Sequence, residues 1–139
     1  MENTQNVLGY ELSRIYPVTR EVLFQALTDA AVLEKVRGVQ SIAVDARPGG
    51  QTEATYIVDG EDWSFTLTYS EVVPHERLRW VVRFKAFPSK QTKVTIALRA
   101  ALDGTELNLR MENFETASER HANRQAWEAG LATLAVLLA

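Results

Sequence analysis

Trp63-Ser64-Phe65-Thr66-Leu67-Thr68-Tyr69-Ser70 alternates strictly between large apolar or aromatic side chains and small hydroxyls. In an extended chain successive side chains point to opposite faces. Trp63, Phe65, Leu67 and Tyr69 therefore share one face and the hydroxyls share the other. A strand with one dry side and one wet side belongs in an antiparallel sheet that is covered on a single face. The next runs repeat the pattern. Leu78, Trp80, Val82 and Phe84 alternate with Arg77, Arg79, Val81 and Arg83; Val94, Ile96, Leu98 and Ala100 alternate with Thr95, Ala97 and Arg99; Leu107, Leu109 and Met111 alternate with Asn108 and Arg110. Weaker strands are expected over Leu8 to Ile15, Ile42 to Ala46 and Glu53 to Val58. Pro48-Gly49-Gly50, Asp59-Gly60, Pro74-His75, Pro88-Ser89 and Asp103-Gly104 supply the turns, since glycine accepts positive φ and proline fixes φ.

Helical period replaces the alternation in two places. Thr19 is placed to cap a short helix, with Glu21 near its positive end and Val22, Leu23, Ala26 and Leu27 on one face. A second short helix runs through Val32 and Leu33 to about Val36. Near the other end, Thr116-Ala117-Ser118-Glu119 has the form of a capping box. The helix it starts runs almost to Ala139, with Trp127, Leu131, Leu134 and Leu138 as its apolar stripe and Ala126 and Gly130 beside it. The fold class is therefore α+β. A curved antiparallel sheet of about seven strands wraps the long C-terminal helix, and two short helices follow the first strand. A dry sheet face needs a cover, and the last helix is the element long enough to supply it.

With 139 residues the chain fits one domain, 1–139, able to bury a core without staples. It is 46% hydrophobic and 24% charged, with net charge -3. The acidic balance speaks against a nucleic-acid partner. Cysteines are absent, which excludes disulfides and thiolate chemistry. Met1 to Asn6 are polar and carry no signal segment, and no apolar run is long enough to span a membrane. A cytoplasmic setting is the expectation.

Several stretches resemble one family in order along nearly the whole chain: Arg14-Ile15-Tyr16-Pro17-Val18-Thr19-Arg20-Glu21-Val22-Leu23-Phe24-Gln25-Ala26-Leu27-Thr28-Asp29, Asp45-Ala46-Arg47-Pro48-Gly49-Gly50, Pro74-His75-Glu76-Arg77-Leu78, Asp103-Gly104-Thr105-Glu106-Leu107, and Trp127 followed by Gly130-Leu131. They are similar to the START-like (SRPBCC) superfamily, in the branch named after the activator of the heat-shock-protein ATPase. The resemblance implies a helix-grip fold of the START/Bet v kind and a hydrophobic cavity between sheet and helix. It also implies departures. Lys35-Val36-Arg37-Gly38 stands where relatives often carry two tryptophans before a glycine. Met111 and Asn123 stand where relatives often carry histidines, which weakens an enzymatic reading.

Tyr56, Trp63, Phe65, Leu67, Tyr69, Trp80, Phe84, Met111, Asn123, Trp127 and Leu131 are the candidate cavity lining. On periodicity alone the same side chains fill an ordinary core; the resemblance favours a cavity. Tyr56, Tyr69, Trp63, Trp80 and Asn123 are its candidate polar groups, and Glu71, on the alternation of Tyr69, is expected near its mouth. His75 and His121 lack a second ligand at metal-binding spacing, and no serine-hydrolase elbow or phosphate loop occurs. No catalytic residue, metal site or cofactor is assigned. Arg79, Arg83, Lys93, Arg99 and Arg110 are expected on the outer, solvated face of the sheet. The reading is a small-molecule-binding protein for a hydrophobic, aromatic or lipid-like ligand. The alternatives are a polyketide-cyclase-like or hydrolytic enzyme in the same cavity, and a stress-response protein that activates a chaperone ATPase. Either a monomer or a homodimer is compatible with the sequence.

Overall fold

The alternating run that opened the reading is the middle of a long strand, and its neighbours follow in hairpin order. The computed structural model describes residues 8–139, apart from the side chains of Val58 and of residues 87–90. The polar stretch Met1 to Asn6 lies outside the described residues. The elements are β1 (Tyr10–Tyr16), α1 (Arg20–Leu27), α2 (Ala30–Arg37), β2 (Ser41–Val44), β3 (Gln51–Val58), β4 (Glu61–Val73), β5 (Arg77–Phe84), β6 (Phe87–Ala101), β7 (Gly104–Glu112) and α3 (Ala117–Leu137). The seven strands form one sheet in the order β1-β7-β6-β5-β4-β3-β2, and every neighbouring pair is antiparallel. The helix-grip architecture expected from the sequence is the one observed.

Local chemistry explains the element ends. Thr19 Oγ1 accepts from the Val22 amide at 3.2 Å and starts α1. Asp29 Oδ1 accepts from the Val32 amide at 3.1 Å and starts α2, which stops at Gly38 in the left-handed region, φ 66°. Thr116 Oγ1 accepts from the Glu119 amide at 3.1 Å and starts α3. The Glu119 carboxylate reaches back one residue further than a standard capping box, to the Glu115 amide at 3.3 Å. Asp59 and Gly60, with φ of 52° and 81°, close the β3–β4 hairpin with the paired positive dihedrals of a tight turn. One turn is displaced from its expected place. The β5–β6 connection is Lys85-Ala86, closed by Phe84 opposite Phe87, and Pro88-Ser89 fall within β6. Proline is tolerated there because it sits near the start of the strand.

The inner sheet face and α3 share one core. Leu67, Leu78, Val94, Ile96, Leu107, Leu109 and Met111 from the strands meet Leu131 and Leu134 from α3, each at most 1% exposed. Burying a side chain of this kind contributes about 1.5–3 kcal/mol. Tyr16, also fully buried, donates its hydroxyl to the Leu131 carbonyl at 3.0 Å, which ties β1 to the C-terminal half of α3. Among the described residues, no helix is long and apolar enough to cross a membrane.

Candidate functional site

The two halves of α3 present side chains of different size to the sheet. Leu131 and Leu134 fill the space beneath the C-terminal half. The N-terminal half offers Ala122, Asn123, Ala126 and, where the two halves meet, Gly130. Small residues opposite a curved sheet leave a hollow of about 860 Å³. That falls in the range of roughly 300–1,000 Å³ typical of small-molecule sites. Its rim includes the exposed Asn113, Glu115, Ala122 and Ala126, so the space reaches solvent on that side.

Strand register builds the facing wall. Tyr56 on β3 lies opposite Trp63 on β4, Phe65 opposite Phe84 on β5, Trp80 opposite Val94 on β6, and Val94 opposite Met111 on β7. Each of these side chains lines the cavity. Phe65 packs against Tyr56 and Phe84, with ring centroids 5.8 and 5.5 Å apart. Tilted contacts of this sort are among the favoured arrangements of aromatic pairs. Trp127 on α3 closes the opposite side.

Of the eleven candidate residues, the structure places Tyr56, Trp63, Phe65, Trp80, Phe84, Met111, Asn123 and Trp127 around the cavity. Leu67, Tyr69 and Leu131 are packed core outside it, between 1% and 3% exposed. Tyr69 sets its ring edge-on to Trp80 at 5.9 Å, and its hydroxyl is hydrogen-bonded to Thr52 Oγ1 at 2.7 Å. Asn123 Oδ1 accepts from the Tyr10 hydroxyl. Tyr10 stacks on Phe114, a further lining residue, at 6.0 Å, and burial pushes its phenol well above the usual range.

Glu71 is not at the mouth. A bulge between Tyr69 and Glu71 shifts the β4–β5 register, so Glu71 lies opposite the outward-facing Arg79 rather than continuing the inner row. There it accepts from Arg77 Nε and Nη2 at 2.9 and 3.0 Å, with Arg79 Nε at 3.5 Å. The bond from Arg77 holds its carboxyl below the usual value. Elsewhere on the outer face Arg99 pairs with Glu106, and Arg110 lies 3.7 Å from Glu112. The basic row there is interleaved with acids.

Arg37, the last residue of α2, was not among the candidates. Gly130 lets α3 pass close to this helix end, since a Cβ at Gly130 would lie 2.9 Å from the Val36 carbonyl oxygen. The guanidinium enters the cavity lining with its carbon 5.0 Å from the Trp127 ring, 5.8 Å from Phe65 and 5.9 Å from Trp80. Its Nε is buried without a hydrogen-bond partner, and none of the ion pairs among the described residues includes it. Burial lowers its pKa from the ordinary arginine range to about 10. In sequence it is one of two cations in the last turn of a helix, an ordinary complement to the dipole. The signal that singles it out is the departure at Lys35-Val36-Arg37-Gly38, where the family resemblance puts tryptophans.

Comparison with known proteins agrees with this geometry. The family model described as "Activator of Hsp90 ATPase homolog 1-like protein" matches residues 17–139. No curated protein matches the chain. Among solved structures, protein CV1439 from Chromobacterium violaceum is 26% identical, with 94% of this chain and 96% of that one covered and a TM-score of 0.83. Protein NE0264 from Nitrosomonas europaea is 22% identical over 94% of this chain and 93% of its own, with a TM-score of 0.76. DynU16, described as a putative protein in the dynemicin biosynthetic locus, is 18% identical; 94% of this chain aligns with 46% of it at a TM-score of 0.77. The last two likenesses show the fold alone.

Proposed function

The chain belongs to the family of Activator of Hsp90 ATPase homolog 1-like proteins, and from that premise and the hollow under α3 we propose that it binds a small hydrophobic or aromatic molecule in this cavity. The observation that carries the reading is the cavity itself: about 860 Å³, walled by Tyr56, Trp63, Phe65, Trp80, Phe84 and Trp127. Burying an apolar ligand against aromatic rings removes water from both surfaces, at about 25 cal/mol per Å². The few polar groups fix its orientation. Asn123 and Arg37 are the inner ones, and Glu115 and Glu119 lie toward the start of α3.

Native mass spectrometry of the protein purified from its own host tests the reading. The expected result is a reproducible added mass that is released on denaturation. A protein that is empty in every preparation, and whose tryptophan fluorescence no apolar probe perturbs, contradicts it.

A further inference from the structure

We infer that the cavity selects an organic anion, a carboxylate or sulfonate on an apolar body, with its charged end at Arg37. This rests on the cavity-binding reading above and adds the chemical class of the ligand.

Arg37 and Trp80 both line the cavity, and each has a buried donor without an acceptor. Arg37 Nε and Trp80 Nε1 are both shielded from solvent and make no hydrogen bond, and the guanidinium carbon is 5.9 Å from the Trp80 ring. Both groups only donate. Buried polar atoms are so regularly paired that an orphaned nitrogen on a cation requires an explanation. The three aromatic faces around Arg37 stabilise its charge through their π clouds. They do not serve its N–H groups, which lie in the guanidinium plane and form a fork matched to two oxygens. A water molecule placed there would accept hydrogen bonds but leave the charge uncompensated.

The acids nearest the site do not fill the role. Glu119 lies eight residues before Trp127 on α3, about 12 Å along the helix axis. Its carboxylate accepts from the Glu115 amide. Tyr69, the titratable group whose charge couples to Arg37, has a phenol raised by burial and is neutral at pH 7. The missing acceptor, with a negative charge and two oxygens, therefore comes from a ligand. The aromatic wall sets what the oxygens are attached to: a flat or chain-like apolar body lying toward Trp63 and Phe84.

The test compares two fluorescent probes that differ by one group. Anilinonaphthalene sulfonate carries the anion; N-phenylnaphthylamine has the same rings without it. Each is titrated into the wild-type chain, Arg37→Met and Arg37→Lys, with circular dichroism to confirm folding. We expect the sulfonate to bind wild type about 10–100-fold more tightly than the amine, as charge-assisted hydrogen bonds predict. Arg37→Met is expected to remove that preference, read as the ratio of the two affinities within each variant, and Arg37→Lys to retain part of it, since it keeps the charge without the fork. Dodecanoate is expected to displace the sulfonate, and dodecanol to do so at least 10-fold less effectively. Equal affinities of wild type for both probes overturn the anion inference and leave the cavity reading standing. Binding of neither probe overturns both. A sulfonate preference that survives in both Arg37 variants places the anion elsewhere and also overturns the inference.

Discussion

The two halves of α3 lie on the same sheet and do opposite things. The C-terminal half puts Leu131 and Leu134 into a filled core, and Tyr16 locks it with a hydrogen bond to the Leu131 carbonyl. The N-terminal half carries Ala122, Asn123 and Ala126 over a hollow walled by rings, and its nearest deep cation has no anion. One half is built for stability. The other keeps a cation without an ion-pair partner beside a hollow, the arrangement expected of a binding site kept at some cost to the empty protein.

Truncations and fillings test this contrast most strongly. Leu134→Ala removes a fully buried side chain from the filled half and is expected to cost about 3–4 kcal/mol in urea unfolding. The complementary change, Ala126→Leu, adds volume at the rim where there is space and is expected to move stability by less than about 1 kcal/mol while weakening binding of N-phenylnaphthylamine. If Ala126→Leu destabilises as much as Leu134→Ala, the two halves are equally packed and the contrast fails.

Arg37→Met comes next, with the opposite sign. Replacing a partly buried cation that has no ion-pair partner by an apolar chain of similar length is expected to stabilise the empty protein by about 1 kcal/mol or more. Thermal unfolding would show this as a rise in Tm of about 3–10 °C. A fall in Tm would mean that the aromatic faces alone compensate the charge.

The smallest effect concerns Tyr16. Tyr16→Phe is expected to cost about 1 kcal/mol at pH 7 through the lost bond to Leu131. Its pH dependence sharpens the assignment. Burial raises the Tyr16 phenol from the ordinary 10 to about 12. Between those values the unfolded chain has released a proton that the folded chain keeps. The contribution is complete below pH 10 and is lost as pH rises toward 12. Stability measured by urea titration at several pH values should therefore fall less steeply above pH 10 in Tyr16→Phe than in wild type.

How legible each region was follows from the physics that governs it. The period-two runs and the stripe Trp127, Leu131, Leu134 specify sheet and helix because side-chain direction is fixed by backbone geometry. The inward row could be read down to single residues, and most of the candidate lining does surround the cavity. Which part of that row is hollow could not be read. Tyr69 alternates in step with Trp63 and Phe65, yet lies in filled core; the difference depends on what α3 places opposite each. Glu71 was misplaced because a bulge changes the count by one residue and leaves no mark in the alternation. Arg37 was hidden because a basic helix end is ordinary in sequence. Its burial arises from the close crossing of α2 and α3 that Gly130 permits.

The most direct measurement is a two-dimensional NMR titration of the isotope-labelled chain with N-phenylnaphthylamine, following the indole N–H signals of Trp63, Trp80 and Trp127 and the methyl signals of Leu131 and Leu134. The account predicts large, saturable shifts at Trp80 and Trp127 and small ones at Leu134. Unchanged indole signals, or shifts centred on Leu134, would contradict a ligand-binding cavity under the N-terminal half of α3.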